Sequence, residues 1–202
     1  METQKEIMLD LETMGISPRS AIVTIAGVSF DLDRLDTVDS LMQVNPKFIA
    51  TVRLDSSMSA GLEIDPGTIV WWLMQSEEAR RALTSDSATT IGTALSAFEY
   101  FYKSHDKPLI WGNGAGFDNV CITEAYKKVM HCDPPWGFRT DRDYRTLKDM
   151  ATRINPKVSH SLSKTDGKLV AHRALDDCIR QILLAQRYWR VICGREIDGD
   201  AL

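Results

Sequence analysis

Four acidic residues and one histidine, far apart in the chain yet set in strongly apolar surroundings, constrain this sequence more than any other feature. They are Asp10 and Glu12 in IMLDLET, Asp118 in WGNGAGFDNV, and His172 and Asp177 in AHRALDD. A carboxylate carried into a core is costly unless it is paired or metallated. Apolar segments that pack together bring their acids together, and converging carboxylates repel one another unless a cation lies between them. A site that binds hard divalent cations beside a histidine is suited to attacking a phosphodiester.

The surrounding pattern is that of an α/β chain. Residues 7–13 and 21–30 read as strands, followed by a turn in DLDRLD and further β-prone stretches at 41–44 and 48–54. Asp65-Pro66 supplies an N-cap and a first-turn proline for a helix through TIVWWLMQSEEARRAL. A second helix from about residue 90 is marked by Ile91, Ala94, Leu95, Phe98, Phe101 and Tyr102. A short strand at 108–111 runs into Gly112-Asn113-Gly114-Ala115-Gly116 and then a helix carrying Asp118. A helix around 145–154, a loop over 155–171 and a last helix from about 174 to 193 complete the reading. Early strands with later alternating helices give a mixed sheet.

Length and composition narrow the class. At 202 residues, with 44% hydrophobic and 26% charged residues, the chain is expected to form one domain over 1–202. No apolar run reaches the ~20 residues needed to span a bilayer, and METQKEIML, followed at once by a core strand, is expected to leave no room for a signal peptide. Cys121, Cys132, Cys178 and Cys193 lack CxxC spacing and read as reduced thiols of a cytoplasmic protein. A net charge of −4 argues against a protein that coats DNA non-specifically. It leaves room for a local basic patch, for which Arg139, Arg142, Arg145, Lys148, Arg153 and Lys157 are candidates, with a solvated face of internal ion pairs as the alternative.

Asp10 and Glu12 are two apart on a strand, so both side chains leave the same face, with Leu9, Leu11 and Thr13 on the other. The plain alternative is a strand end emerging into solvent. Asp31 and Asp33 have the same spacing but sit in a charge-dense turn, where they are expected to be solvated. Asp118 falls in a first helical turn, where the dipole favours an acid. His172 and Asp177 would lie ~140° apart on one helix at ~100° per residue, so His172 is placed in the approach and Asp177 in the first turns. Whether Asp176 or Asp177 faces the site stays open on spacing alone. The remaining histidines, His105, His131 and His160, read as structural. At most one of Trp71 and Trp72 can stack on a base, because adjacent helix positions diverge by ~100°.

DxE on a first strand, a later Asp opening a helix and His-x4-Asp near the C-terminus resemble the DEDDh branch of the ribonuclease H-like 3′–5′ exonucleases. TIVWWLMQSEEAR and RDYRTL are similar to segments of its phage exonuclease A and mycobacterial-type exoribonuclease group. The resemblance selects Asp177 over Asp176. It implies a ribonuclease H-like mixed five-stranded sheet flanked by helices, the first three strands antiparallel. It implies two Mg²⁺ (or Mn²⁺) ions held by Asp10, Glu12, Asp118 and Asp177, with His172 as general base. It implies removal of nucleoside 5′-monophosphates from single-stranded DNA or RNA 3′ ends, by a homodimer. Leu11, Thr13, Met14, Trp72, Phe117 and Arg145 are the expected substrate contacts.

Overall fold

The apolar runs of the first third pair into the middle of a sheet. In the computed structural model, which describes residues 5–162 and 169–195, β1 (Glu6–Thr13) and β2 (Ile22–Phe30) are antiparallel and buried throughout. Strands covered on both faces read as continuous apolar runs rather than alternating ones. The stretch after β2 departs from the expected hairpin. Val38–Gln43 forms α1, because Thr37 and Ser40 exchange side-chain and backbone bonds in a capping box that overrides the β preference of its apolar residues. β3 (Lys47–Thr51) then pairs antiparallel with β2, and a short α2 (Leu54–Ser59) follows.

Asp65 caps α3 (Pro66–Leu73) by accepting from the Thr68 N–H at 2.7 Å. The helix does not run on through residue 83 as expected. Ser76 accepts from the Ala79 N–H at 3.2 Å and starts a separate α4 (Glu77–Ala82), whose first-turn Glu77 and Glu78 suit a new N-terminus. Next come α5 (Ile91–Lys103), β4 (Leu109–Gly112) and α6 (Asp118–Ala125), which widens into a π turn over Tyr126–Met130. β5 (Asp141–Asp143), α7 (Tyr144–Ile154) and α8 (Ala174–Ile192) complete the order. Part of the expected 155–171 loop, residues 163–168, lies outside the described residues.

The strand order is β3-β2-β1-β4-β5, with β4 parallel to β1 and β5 parallel to β4. This is the mixed five-stranded sheet implied by the resemblance, its first three strands antiparallel. One face packs Ile7, Leu9, Leu11 and Ile25 against Leu95, Phe98 and Ile122. The other packs Met8, Val28 and Phe30 against Leu147, Cys178, Ile182 and Tyr188. Far from being solvated, Asp31 is buried, and the DLDRLD turn is docked on α8 through Gln186, which donates to the Asp31 carbonyl at 2.9 Å and to Asp36 at 2.8 Å. Among the described residues, no helix is long and apolar enough to cross a membrane.

Candidate active site

β1 sits in the middle of the sheet, and its alternation decides where its acids go. Met8 belongs to the core on the α8 side, so Asp10 and Glu12, of the same parity, point there too. The β1–β4 pairing ends at Met8 and Trp111, and both acids lie beyond it, at the carboxyl end of the two parallel strands. Carboxylate oxygens of Asp10, Glu12 and Asp177 lie within 4.8 Å of one another. Gln181, one turn beyond Asp177 on α8, donates to Asp10 Oδ1 at 2.8 Å. Glu12 Oε1 is buried with no hydrogen-bond partner. Desolvation, followed by the nearby Asp177 and Asp118, pushes the Glu12 carboxyl up to about 8. Burial, then the charges of Asp118, Glu12 and Asp177, raises Asp10 well above its ordinary value.

Asp118 arrives from the opposite side of the sheet. It opens α6 directly after β4, and Gly112 permits the close approach: a Cβ there would stand 2.3 Å from Asn119 Oδ1. Its oxygens accept from the backbone N–H groups of Leu11 at 3.3 Å and Asn113 at 3.1 Å. Burial lifts its carboxyl to about 6, and those two bonds work against the rise. Asp118 is thus held by backbone donors, whereas Glu12 is not.

The start of α8 settles the Asp176 alternative by geometry. Asp177 Oδ2 accepts from the His172 N–H at 2.8 Å and Oδ1 from Arg180 at 2.7 Å, and it faces the cluster. Asp176 accepts from the Val170 N–H at 3.0 Å and pairs with Arg173 at 3.4 Å. The two neighbouring acids therefore hold the approach to α8 from two sides. His172 sits in that approach with φ +61°, a left-handed conformation rare for a residue with a side chain. Its ring lies edge-on to Trp71, centroid to centroid 4.9 Å.

Two adjoining cavities meet beside these residues, at Glu12 and its neighbours. A polar one of about 510 Å³ is bordered by Asp10, Glu12, Asp118, His172 and Asp177, so all five singled-out side chains reach one space. An apolar one of about 450 Å³ is bordered by Thr13, Ile16, Trp71 and Trp72. Leu11, Glu12, Trp71 and Phe117 line both. The ring offered to this space is mainly that of Trp71, which is 42% exposed. Trp72 is 4% exposed and spends its indole N–H on the Thr13 carbonyl at 3.0 Å. Met14 is buried in the core and borders neither cavity.

Arg145 borders the polar cavity, with Nε 3.4 Å from Asn113 Oδ1, and packs over Gly114, whose φ of +101° suits glycine. Elsewhere in the basic stretch the solvated-face reading describes the contacts better: Arg142 holds backbone carbonyls and Arg153 pairs with Asp149 at 2.7 Å. Gln181, Arg180, Asn113, Tyr144 and His160, none of them an expected site residue, also border the polar cavity. Gln181 carried a usable signal, four residues after Asp177 and so on its helix face. His160 carried none.

The donor set fits a hard cation. It is all carboxylate oxygen, one oxygen is unpartnered, and two of the carboxyls, Asp10 and Glu12, are pushed up by the charges of the acids around them. Residues 5–189 match the family described as the 3′-5′ exoribonuclease Rv2179c-like domain. An exodeoxyribonuclease of Enterobacteria phage T4 is 26% identical over 218 residues, covering 95% of this chain and 92% of its own. In fold, the chain is similar to cell-death related nuclease 4 (CRN-4), with TM-score 0.58 and 16% identity over 95% of this chain. It is equally similar to E. coli ExoI in a metal-free complex with single-stranded DNA, with TM-score 0.58 and 14% identity over 96% of this chain. It spans 65% of the first of these two structures and 40% of the second.

Proposed function

The chain belongs to the Rv2179c-like 3′-5′ exoribonuclease domain family, and from that premise we propose that it hydrolyses the last phosphodiester bond at nucleic-acid 3′ ends, releasing nucleoside 5′-monophosphates. The observation that carries this reading is the buried cluster of Asp10, Glu12 and Asp177, with Glu12 Oε1 unpartnered and Asp118 beside it.

Asp10, Glu12, Asp118 and Asp177 would hold two divalent cations, Mg²⁺ or Mn²⁺. Bound there, the cations would offset the carboxylate charge and stabilise the charge that develops on the phosphate. The protein's own groups do the rest. His172, half-buried against Trp71 and tied through its backbone to Asp177, takes the proton of the attacking water. The Trp71 edge limits the rotation of that imidazole, and the Asp177 bond fixes the chain that carries it. Leu11, Trp71 and Phe117 border the apolar cavity and receive the terminal nucleoside, with Thr13 and Trp72 forming its floor. Arg145 faces the phosphate from the polar side.

The two sugar classes stay distinct proposals. The family description favours RNA, and the phage T4 relative favours DNA. Single-stranded DNA and RNA oligonucleotides labelled at the 5′ or the 3′ end, incubated with Mg²⁺, Mn²⁺ or EDTA, test polarity, sugar preference and metal need together. The expected result is a ladder shortening from the 3′ end that EDTA abolishes. Shortening from the 5′ end, or activity unaffected by EDTA, would overturn the reading.

A further inference from the structure

His160, a structural residue on sequence grounds, is exposed and borders the polar cavity, as do Arg145, Tyr144 and Arg180. Its ring is held in one orientation. Nδ1 lies 3.0 Å from the hydroxyl of Tyr188, which is fully buried and bonded in turn to Tyr144. Nε2 lies 3.5 Å from the Thr152 hydroxyl, beyond the ordinary range of a nitrogen–oxygen hydrogen bond. Thr152 has already given its proton to the Lys148 carbonyl at 2.8 Å, so it can only accept. Tyr188 takes the hydrogen bond of Tyr144 and has its own proton for Nδ1, an arrangement that assigns the ring proton to Nε2. The result is an N–H donor, oriented by a buried pair of tyrosines and poorly used inside the protein.

The two cavities give that donor a direction. In the exonuclease reading the terminal nucleoside occupies the apolar side, and the scissile phosphate lies at the acids of the polar cavity, of which Glu12 borders both. The next phosphate of the strand then enters the polar cavity, whose lining includes the His160 and Arg145 donors. Resting on the exonuclease reading, we propose that His160 Nε2–H, with Arg145, binds the phosphodiester one step upstream of the scissile bond. His160 is thereby a specificity-determining residue that favours substrates carrying that second phosphate. Tyr188 is a positioning residue acting through it.

The test compares three oligonucleotides with the full chain in Mg²⁺: a dinucleotide without a 5′ phosphate, the same dinucleotide with one, and a trinucleotide. Only the last two carry the upstream phosphate. In His160→Ala, the ratio of kcat/KM on either phosphate-bearing substrate to that on the plain dinucleotide falls about tenfold, as for the loss of one hydrogen bond to a charged group. The loss lies in KM. His160→Gln, which keeps an N–H near the Nε2 position, recovers most of the ratio, and Tyr188→Phe lowers it part of the way. A ratio unchanged in His160→Ala overturns the subsite while leaving the exonuclease reading intact. A response confined to the trinucleotide overturns the phosphate assignment. Cleavage of none of the three by a wild-type chain that shortens longer strands from the 3′ end overturns the subsite alone, whereas no shortening of longer strands overturns the exonuclease reading.

Discussion

β1 carries a buried carboxylate at each end of the same face, and the two ends have opposite fates. At the start of the strand, Glu6 accepts a hydrogen bond from the Trp111 indole and feels the Arg142 charge, which offsets Asp31 and Asp33, while burial still pushes it to about 7. At the far end, Glu12 has a buried oxygen with no partner and two further acids close by, and it is pushed to about 8. Same strand, same parity, similar burial: what differs is the company. An acid satisfied by a neutral donor belongs to the architecture, whereas an acid gathered with others and left unsatisfied needs a cation from outside. Burial of a carboxylate alone therefore does not mark a site; unmet charge does.

The strongest way to break this contrast is to remove a clustered acid. Asp10→Asn is expected to lower exonuclease turnover by ~10⁴-fold or more, beyond the ~10²–10⁴-fold expected of a positioned base. It should leave the fold intact, because one fewer charge relieves repulsion in the metal-free cluster; circular dichroism and a thermal melt check the second half. Turnover near wild type would mean that this acid holds no catalytic ion.

His172→Ala should cost ~10²–10⁴-fold in kcat while thermal stabilisation by Mn²⁺ persists, separating the base from the ligands. Loss of that stabilisation would instead assign His172 to ion binding.

The smallest effect sharpens the comparison most. Both Glu6 and Glu12 have folded-state values above their ordinary 4.5, so the folded chain holds protons that the unfolded chain has released. Stability in EDTA should therefore fall as pH rises from about 4.5, with the Glu6 share fully lost above about 7 and the Glu12 share above about 8. Glu6→Gln, which still accepts from Trp111, should recover up to ~3 kcal/mol above pH 7, with or without metal. Glu12→Gln should recover stability only in EDTA, since a bound cation cancels the same cost in the wild type. Equal behaviour of the two variants toward metal, read from denaturant melts at pH 6 and pH 9, would erase the distinction between the two ends.

Much of this was legible from residues alone. Apolar runs flanking IMLDLET gave a buried strand, Asp65-Pro66 marked a helix start, and the helix opened by Asp118 stands where its pattern put it. The misreadings share a cause. Ser76 ended one helix and began another, and Thr37 and Ser40 turned β-prone residues helical, because a local hydrogen bond at a cap outweighs average propensity. Asp31 looked solvated in a charge-dense turn, yet that turn docks on α8, which lies far along the chain.

The sequence by itself determined which chemistry was available: oxygen ligands, an imidazole and apolar segments able to carry them inward, since residue type and periodicity are local properties. Packing made the assignments within it. It turned Asp177, the acid that the resemblance selects, toward the other acids, exposed the Trp71 ring at the cavity far more than that of Trp72, and brought Gln181 and His160 to its walls. Those choices depend on distances between segments more than a hundred residues apart, set by the packing of α8 against the sheet, and one-dimensional spacing does not encode such distances.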